Sequence, residues 1–267
     1  MPRAWEWLTV GIAALIGLYL LVAYVILPDL WKHFEHQPGL QPKPLVTTTG
    51  SGIPGDPINV GLVGSKAEIV KAFAIAGWHP ADAITARSSV EIGLSVLLDR
   101  PYPDAPVSPL LYEGRRQDLA FEQAVGGSAD RRHHVRFWLT LDSGAEGRPV
   151  WLGSASFDEG VGLSHDTGQI THHIAPDVDG ERDLIMHDLS RAGVLSSIYQ
   201  VSGMGPTLAG RNGGGDPYFT DGEVSIGVLH VGAEAHLEPA MQRPSASTAI
   251  NVKQRLWPLV RRLISRS

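Results

Sequence analysis

The chain has 267 residues, 43% of them hydrophobic and 19% charged, with a formal net charge of −6 at pH 7 and no cysteine. That length suffices to bury a sizeable core, while the lack of cysteine excludes thiol catalysis, disulfides, zinc fingers and iron–sulfur clusters. Residues 251–267 carry Lys253, Arg255, Arg261, Arg262 and Arg266 and no acid, so the rest of the chain is strongly acidic and a poor partner for nucleic acid.

Leu8 to Leu27, "LTVGIAALIGLYLLVAYVIL", is a run of 20 residues without a charge. As a helix rising about 1.5 Å per residue it covers roughly 30 Å, the thickness of a bilayer's hydrocarbon core. Trp5, Trp7, Tyr24 and Trp31 lie near its ends, where amphipathic rings favour the membrane interface. A cleaved signal peptide fits less well, because the run is long and "YVILPDL" offers no small-x-small cleavage site. Residues 1–36 therefore read as one membrane anchor with its flanks, and Arg3 against Lys32 sets its orientation only weakly. Residues 37–57 hold five prolines and four glycines and read as a partly extended linker or an irregular wrap around the domain that follows.

The globular domain is expected over 58–237. "INVGLVG" is a short apolar strand, and "SKAEIVKAFAIAG" opens on Ser65 and Glu68 in capping-box spacing and closes on Gly77, so it is a helix. Val90, Leu94 and Leu97 fall on one face of a second helix over 88–98. "DLAFEQAV", "HHVRFWLTL", "RPVWLGSASF" and "QITHHI" are rich in β-branched and aromatic residues and read as strands. Residues 180–193 read as a helix with Asp179 as N-cap and Gly193 as its stop. "VLSSIYQV" and "VSIGVLHV" are late strands joined by a glycine-rich stretch. Helices first and strands later predict an α+β fold with a largely antiparallel sheet, preceded by one transmembrane helix. In the tail, 238–267, Leu256, Leu259, Val260, Leu263 and Ile264 share a helical face. This basic amphipathic segment suits an anionic membrane surface or docks on the domain, and Pro258 leaves it about two to three turns.

Several long strings in one order, "GDPINVGLVGS", "AGWHPAD", "LLDRPYPDAPVSPL", "GRRQDLAFEQAVGGS", "RHHVRFW", "PVWLGSASFD" and "GLSHDTGQITHHIAPDVDGERD", resemble the LssY C-terminal domain family. The resemblance runs from about Gly55 to His236, and the family is named for a component grouped with a type I secretion system. It implies a bacterial inner-membrane protein, because relatives carry the domain beside transmembrane segments or fused to a lipid-phosphatase-like membrane domain. It implies no established activity and transfers no catalytic residues.

The chemistry must then come from the histidines, of which the chain has eleven. Alternation along a strand puts His133, Val135, Phe137 and Leu139 on one face and His134, Arg136 and Trp138 on the other. In "QITHHI" the same rule separates Ile170, His172 and Ile174 from Gln169, Thr171 and His173. Neighbouring histidines on a strand point apart, so neither His133–His134 nor His172–His173 is a chelating pair, and His133 and His172 read as core residues. The polar faces gather His134, Arg136, Thr171 and His173, with His165 and Asp166 in the preceding loop folding over them. As a catalytic set these are His134, Arg136, His165, Thr171 and His173. As metal ligands they are His134, His165, His173 and Asp166, a donor set suited to zinc, manganese or iron with a metal-activated water as nucleophile. Without a metal, two histidines and an arginine can grip a phosphate and transfer protons near neutral pH.

No HExxH, GxSxG or GxxxxGK[ST] signature occurs. Asn212, Asp216, Asp221 and Glu223 sit in a glycine-rich loop whose oxygens suit calcium, but its spacing fits no EF-hand, so it reads first as a capping or flexible loop. Asp177, Asp179, Glu181 and Asp183 read as solvated charges favoured by a helix N-terminus. Two expectations remain: a membrane-anchored, histidine-dependent and metal-assisted hydrolase of a phosphoester or lipid headgroup, or a non-catalytic envelope or secretion-associated binding module. Either is a single-pass protein of the bacterial inner membrane with its domain on the periplasmic side. Its partners would be membrane lipids, through Leu8–Leu27 and the tail, and an envelope or secretion protein.

Overall fold

The computed structural model describes residues 4–26, 39–40, 43–81, 110–126, 131–166, 168, 170–202, 204–205, 208–233, 236, 240–243 and 248–264. The helix expected over 88–98 lies outside them, as do Trp31 and Lys32. Helix α1 (Ala4–Leu21) runs on into a π-helical turn, Val22–Ile26. Its stretch Trp7–Tyr24 has a mean hydropathy of 2.0 and none of it is buried, so it is long and apolar enough to cross a membrane.

The rest is α+β. In chain order come strands β1 (Val46–Thr49), β2 (Pro54–Pro57) and β3 (Val60–Val63), helix α2 (Lys66–Ile75), and strands β4 (His79–Pro80), β5 (Leu110–Tyr112), β6 (Arg115–Arg116) and β7 (Leu119–Ala124). The long strands β8 (Arg132–Leu141) and β9 (Val150–Leu163) follow, then β10 (Ile170–Ile174) and helix α3 (Val178–Arg191). The chain ends with β11 (Leu195–Ser202), β12 (Leu208–Arg211), β13 (Pro217–Thr220), β14 (Glu223–Leu229), β15 (Met241–Gln242) and helix α4 (Thr248–Ile264). The main sheet has the order β15-β11-β14-β3-β9-β8-β7-β4, with β10 added to β9. Its pairs are antiparallel except β3 with β14 and β11 with β15. A second sheet is ordered β2-β1-β5-β6, and β12 and β13 form a separate hairpin.

Strand alternation divides the main sheet into two chemically different faces. One carries Val60, Leu62, Leu119, Phe121, Val135, Phe137 and Ala155, which pack with Ile69, Val70 and Phe73 of α2 and Ile185, Met186 and Leu189 of α3. Phe73 stacks on Phe121 at 4.1 Å. Against the other face, Leu110 and Tyr112 of the small sheet pack with Trp138, Val150 and Leu152. Leu40 is wholly buried in that cluster, and Thr47 and Asp56 are buried too. The described part of 37–57 thus forms strands β1 and β2 and lends buried side chains to this layer.

A buried amide fastens the layers. Asn59 donates to the carbonyls of Ala155 and Val178, both at 2.9 Å, and accepts from the Ala155 N–H at 2.9 Å. It thereby ties the start of β3 to β9 and to the first turn of α3, with all but one lone pair used. Helix α2 begins with the expected Ser65–Glu68 capping box. The N-cap of α3 is Asp177, whose side chain accepts from Gly180 N–H at 3.0 Å, two residues earlier than expected. Gly193, at φ 66°, ends α3 as expected, in the left-handed region that a glycine enters without strain. Helix α4 is one continuous helix of 17 residues through Pro258, longer than the proline alone would allow. Residues on both sides of Pro258 are bound to the body: Lys253 to the Asp221 carbonyl and Arg261 to Asp177.

Glu68 does more than cap. Its carboxylate accepts from Ser65 N–H at 2.7 Å, from Arg148 at 2.7 Å and from Gly232 N–H at 2.8 Å. Partial burial opposes its ionisation, yet these bonds outweigh the burial and hold its pKa down at about 2. A carboxylate with a depressed folded pKa stabilises the fold above its unfolded value near 4.5, and that contribution disappears as pH falls toward 2. Glu68→Gln is expected to lower the stability of the full chain in detergent by about 1 kcal/mol at pH 7. Urea unfolding followed by tryptophan fluorescence should show the gap from wild type closing between pH 4.5 and 2.

Candidate functional site

The face of β7, β8 and β9 turned away from the helices is charged at one end. Register places Arg132 opposite Asp158, His134 opposite Glu122 and Ser156, and Arg136 opposite Ser154. Arg132 bridges Glu122 at 2.9 Å and Asp158 at 3.1 Å, and Arg136 faces Asp56 of β2 at 3.6 Å. All of these carboxylates are buried, so each needs a cation beside it. Burial also pulls the His134 pKa well below its usual value, and Arg136, Arg132 and His172 push it the same way. At neutral pH that ring is uncharged.

Strand β10 keeps its alternation, but the face that carries His172 is not the apolar one the sequence suggested. Ile174 pairs with Asp158 but His173 pairs with Gly160, so β9 carries one extra residue, Glu159, and the faces exchange beyond this bulge. Ile174 lies opposite Asp158 on the charged face, and His172 shares the face of Ile174, so its Nε2 lies 3.4 Å from Arg132 Nη2. It is half-buried beside an arginine, not a core residue among apolar neighbours. His133 sits on the helix side, between Trp78 and Phe157, with Nδ1 2.7 Å from Glu181. His172 and His173 have separate partners, as strand geometry requires.

His173 turns instead to the β12–β13 hairpin. Its Nδ1 lies 2.7 Å from Asp216 Oδ1, and His165 Nε2 lies 3.5 Å from the same oxygen. The two imidazole centroids are 5.1 Å apart. Among the described residues, His165, His173 and Asp216 form the one group whose ligand atoms all lie within 4.8 Å of one another. The three grade from solvent to interior, with side-chain exposures of 61%, 28% and 6%. A Cβ at Gly162 would stand 2.4 Å from His173 Nε2, so the ring occupies the space a side chain would fill.

The hairpin loop is built to hold this carboxylate. Asn212 Oδ1 accepts from Gly214 N–H and Asp216 N–H at 2.9 and 2.8 Å. Asp216 Oδ2 accepts from Ile174 N–H at 3.1 Å and Asn212 Nδ2 at 3.4 Å. The Gly214 carbonyl accepts from His165 N–H at 2.8 Å and from Ser164 Oγ at 3.2 Å. The β9–β10 turn is thus pinned onto the hairpin, and the glycine-rich loop is a cap with a specific task. Gly215 has φ 86°, and a Cβ there would lie 2.8 Å from His165 Cβ, so only glycine fits.

The sequence-predicted residues divide accordingly. His165 and His173 come together, with Asp216 as their shared carboxylate. His134 and Arg136 are buried in the charged face, where the electrostatic neighbours of His134 are Arg136, Arg132 and His172. Thr171 packs its methyl over Gly214, and its hydroxyl reaches only the His172 carbonyl at 3.5 Å. Asp166 is exposed beside Gly215. The helix-start acids are not all solvated: Asp179 is fully buried, accepting from Thr220 at 2.6 Å and Asp221 N–H at 2.9 Å. Asp216 and Asp56 are the members that strand periodicity could not reveal.

Asp56 joins the two groups. Burial pushes its pKa up to about 6; Arg136 opposes the rise, Asp158 adds to it, the bond with Asn212 opposes it and Asp216 adds to it. A carboxyl raised in the folded state favours folding below its unfolded value of 3.8, and that advantage is lost as pH rises through about 6. Asp56→Asn is expected to remove this dependence. Between pH 4 and 7 the stability of wild type relative to the variant should fall by on the order of 2 kcal/mol in urea titrations.

Comparison with known proteins adds one finding: a family model described as LssY C-terminus matches residues 34–224. No curated protein and no solved structure matches the chain.

Proposed function

We propose that this chain, which belongs to the LssY C-terminus family, is a membrane-anchored hydrolase of phosphoesters built around a divalent-cation centre at His165, His173 and Asp216. The convergence of these three groups from strand β10 and two pinned loops, at the boundary between a buried carboxylate and solvent, carries the reading. Two imidazoles and a carboxylate suit zinc, manganese or iron. Such a cation supplies Lewis acidity and an activated water.

The protein's own groups do the rest. His173 Nδ1 and His165 Nε2 both face Asp216 Oδ1, and Asn212 with the Ile174 N–H holds Asp216 by its other oxygen, an outer support for the ligand. Arg136 is bound to buried Asp56 and is withdrawn from substrate. Arg211 is exposed on the same hairpin, donating to the Gly215 carbonyl at 2.7 Å, and is the cation placed to meet a phosphate. Water attacks phosphorus, a new P–O bond forms as the ester P–O bond breaks, and the water's proton passes through solvent to the leaving oxygen. A lipid headgroup or envelope polymer at the periplasmic face of the inner membrane is the substrate class, in keeping with the lipid-phosphatase-like domains fused to relatives. The burial of His134 and Arg136 favours a second reading, a non-catalytic envelope or secretion-associated module, because it removes two of five expected catalytic groups from solvent.

Equilibrium dialysis of the full chain in detergent against zinc and manganese, followed by elemental analysis, is expected to give one bound ion per chain. His173→Ala and Asp216→Asn should each weaken that binding at least about tenfold, with metal-dependent turnover of phosphomonoester and phosphodiester substrates lost in parallel. A bound ion without turnover would favour the second reading, and no bound ion would overturn the centre itself. Gly162→Ala, which touches no ligand covalently, should displace the His173 ring and weaken the ion by a similar factor while the chain stays folded by circular dichroism.

A further inference from the structure

Helix α4 has its faces arranged in reverse for a helix docked on a protein. The side toward the body is polar. Trp257 donates from Nε1 to Asp179 at 2.8 Å, Arg261 donates from Nε to Asp177 at 2.8 Å, and Lys253 bonds to the Asp221 carbonyl and to Glu223. Gln254 bonds to Gln200. The side away from the body carries Val252, Leu256, Leu259 and Leu263, a stripe at spacings of four, three and four residues, between 49% and 71% exposed. Four large aliphatic side chains in one row facing water call for a cover.

Charge identifies that cover. The helix carries Lys253, Arg255, Arg261 and Arg262 and no acid. Lys253 and Arg261 lie on the side of the body, and Arg255 and Arg262 are exposed along one flank of the apolar stripe. The same spacing is that of a coiled-coil seam, but a second copy of α4 would bring arginines against arginines with no carboxylate to pair them. An anionic lipid surface meets the aliphatic row with its acyl boundary and the arginines with its headgroups at once. We infer that α4 is an interfacial helix: its polar face is fastened to the acidic groups of α3 and the β13–β14 turn, and its apolar stripe lies in the surface of an anionic bilayer. The surface is independent of the histidine centre, and the exposed apolar helix α1 gives the same chain a membrane-crossing length.

The lack of native cysteine makes the test direct. Leu259→Cys and, as a reference elsewhere on the surface, Val231→Cys are each labelled with an environment-sensitive fluorophore in the full chain. The proteins are placed at one copy per lipid nanodisc, either zwitterionic or containing about one-third phosphatidylglycerol. The expected result is severalfold protection of the label at 259 from aqueous iodide in anionic discs, weaker protection in zwitterionic discs, and none at 231. Arg255→Gln with Arg262→Gln should bring the anionic result down to the zwitterionic one. Equal exposure of 259 in both discs would overturn the inference. So would protection that appears only when two copies share a disc, which would assign the stripe to self-association.

Discussion

Buried charge on one half of a sheet face governs much of this structure. Strands β7, β8 and β9 turn Glu122, His134, Arg132, Arg136 and Asp158 inward on the side away from the helices. An isolated ion in such a place is strongly unfavourable, and only close pairing makes it tolerable. The small sheet brings Asp56 to Arg136, and β10 brings His172 to Arg132. The hairpin brings Asn212 to Asp56. The parts that look like additions to the main sheet are thus the parts that complete its electrostatics.

The same arrangement explains why the histidine centre lies where it does. Once Arg136 and His134 are committed to the interior, they have no access to a substrate. The solvent-facing chemistry moves outward by one layer, to His173, His165 and the one carboxylate the hairpin can offer. Asp56 stands between the layers, close enough to Asp216 to feel its charge. Charge in the core and charge at the candidate site are therefore one coupled system.

Local signals were legible in the sequence, and nonlocal ones were not. Ser65 and Glu68 announce the start of α2 because both partners of a capping box lie within one turn. The alternation of β8 correctly separated His133 from His134. At β10 alternation likewise parted His172 from His173, but it could not say which face meets the charged side, which the pairing of Ile174 with Asp158 decides. Four acids near the start of α3 all suit a helix N-terminus; Asp177 is the cap, while Asp179 is taken up by Trp257 and Thr220 from elsewhere in the chain. Asp216 belongs to His173 across 43 residues, a distance at which strand periodicity says nothing. Pro258 argued for a short tail helix, and the bonds of α4 to the body overrode it.

That separation has a consequence for how the protein comes into being. During synthesis the histidine-bearing turn emerges well before the hairpin that supplies Asp216 and the Gly214 carbonyl. A nascent chain ending between them holds both imidazoles but neither the carboxylate that orients His173 nor the clasp that fixes His165. The centre is therefore closed by one of the later loops to form, and its assembly marks that the hairpin has docked. A ligand that requires the whole centre would select chains in which that last closure has taken place.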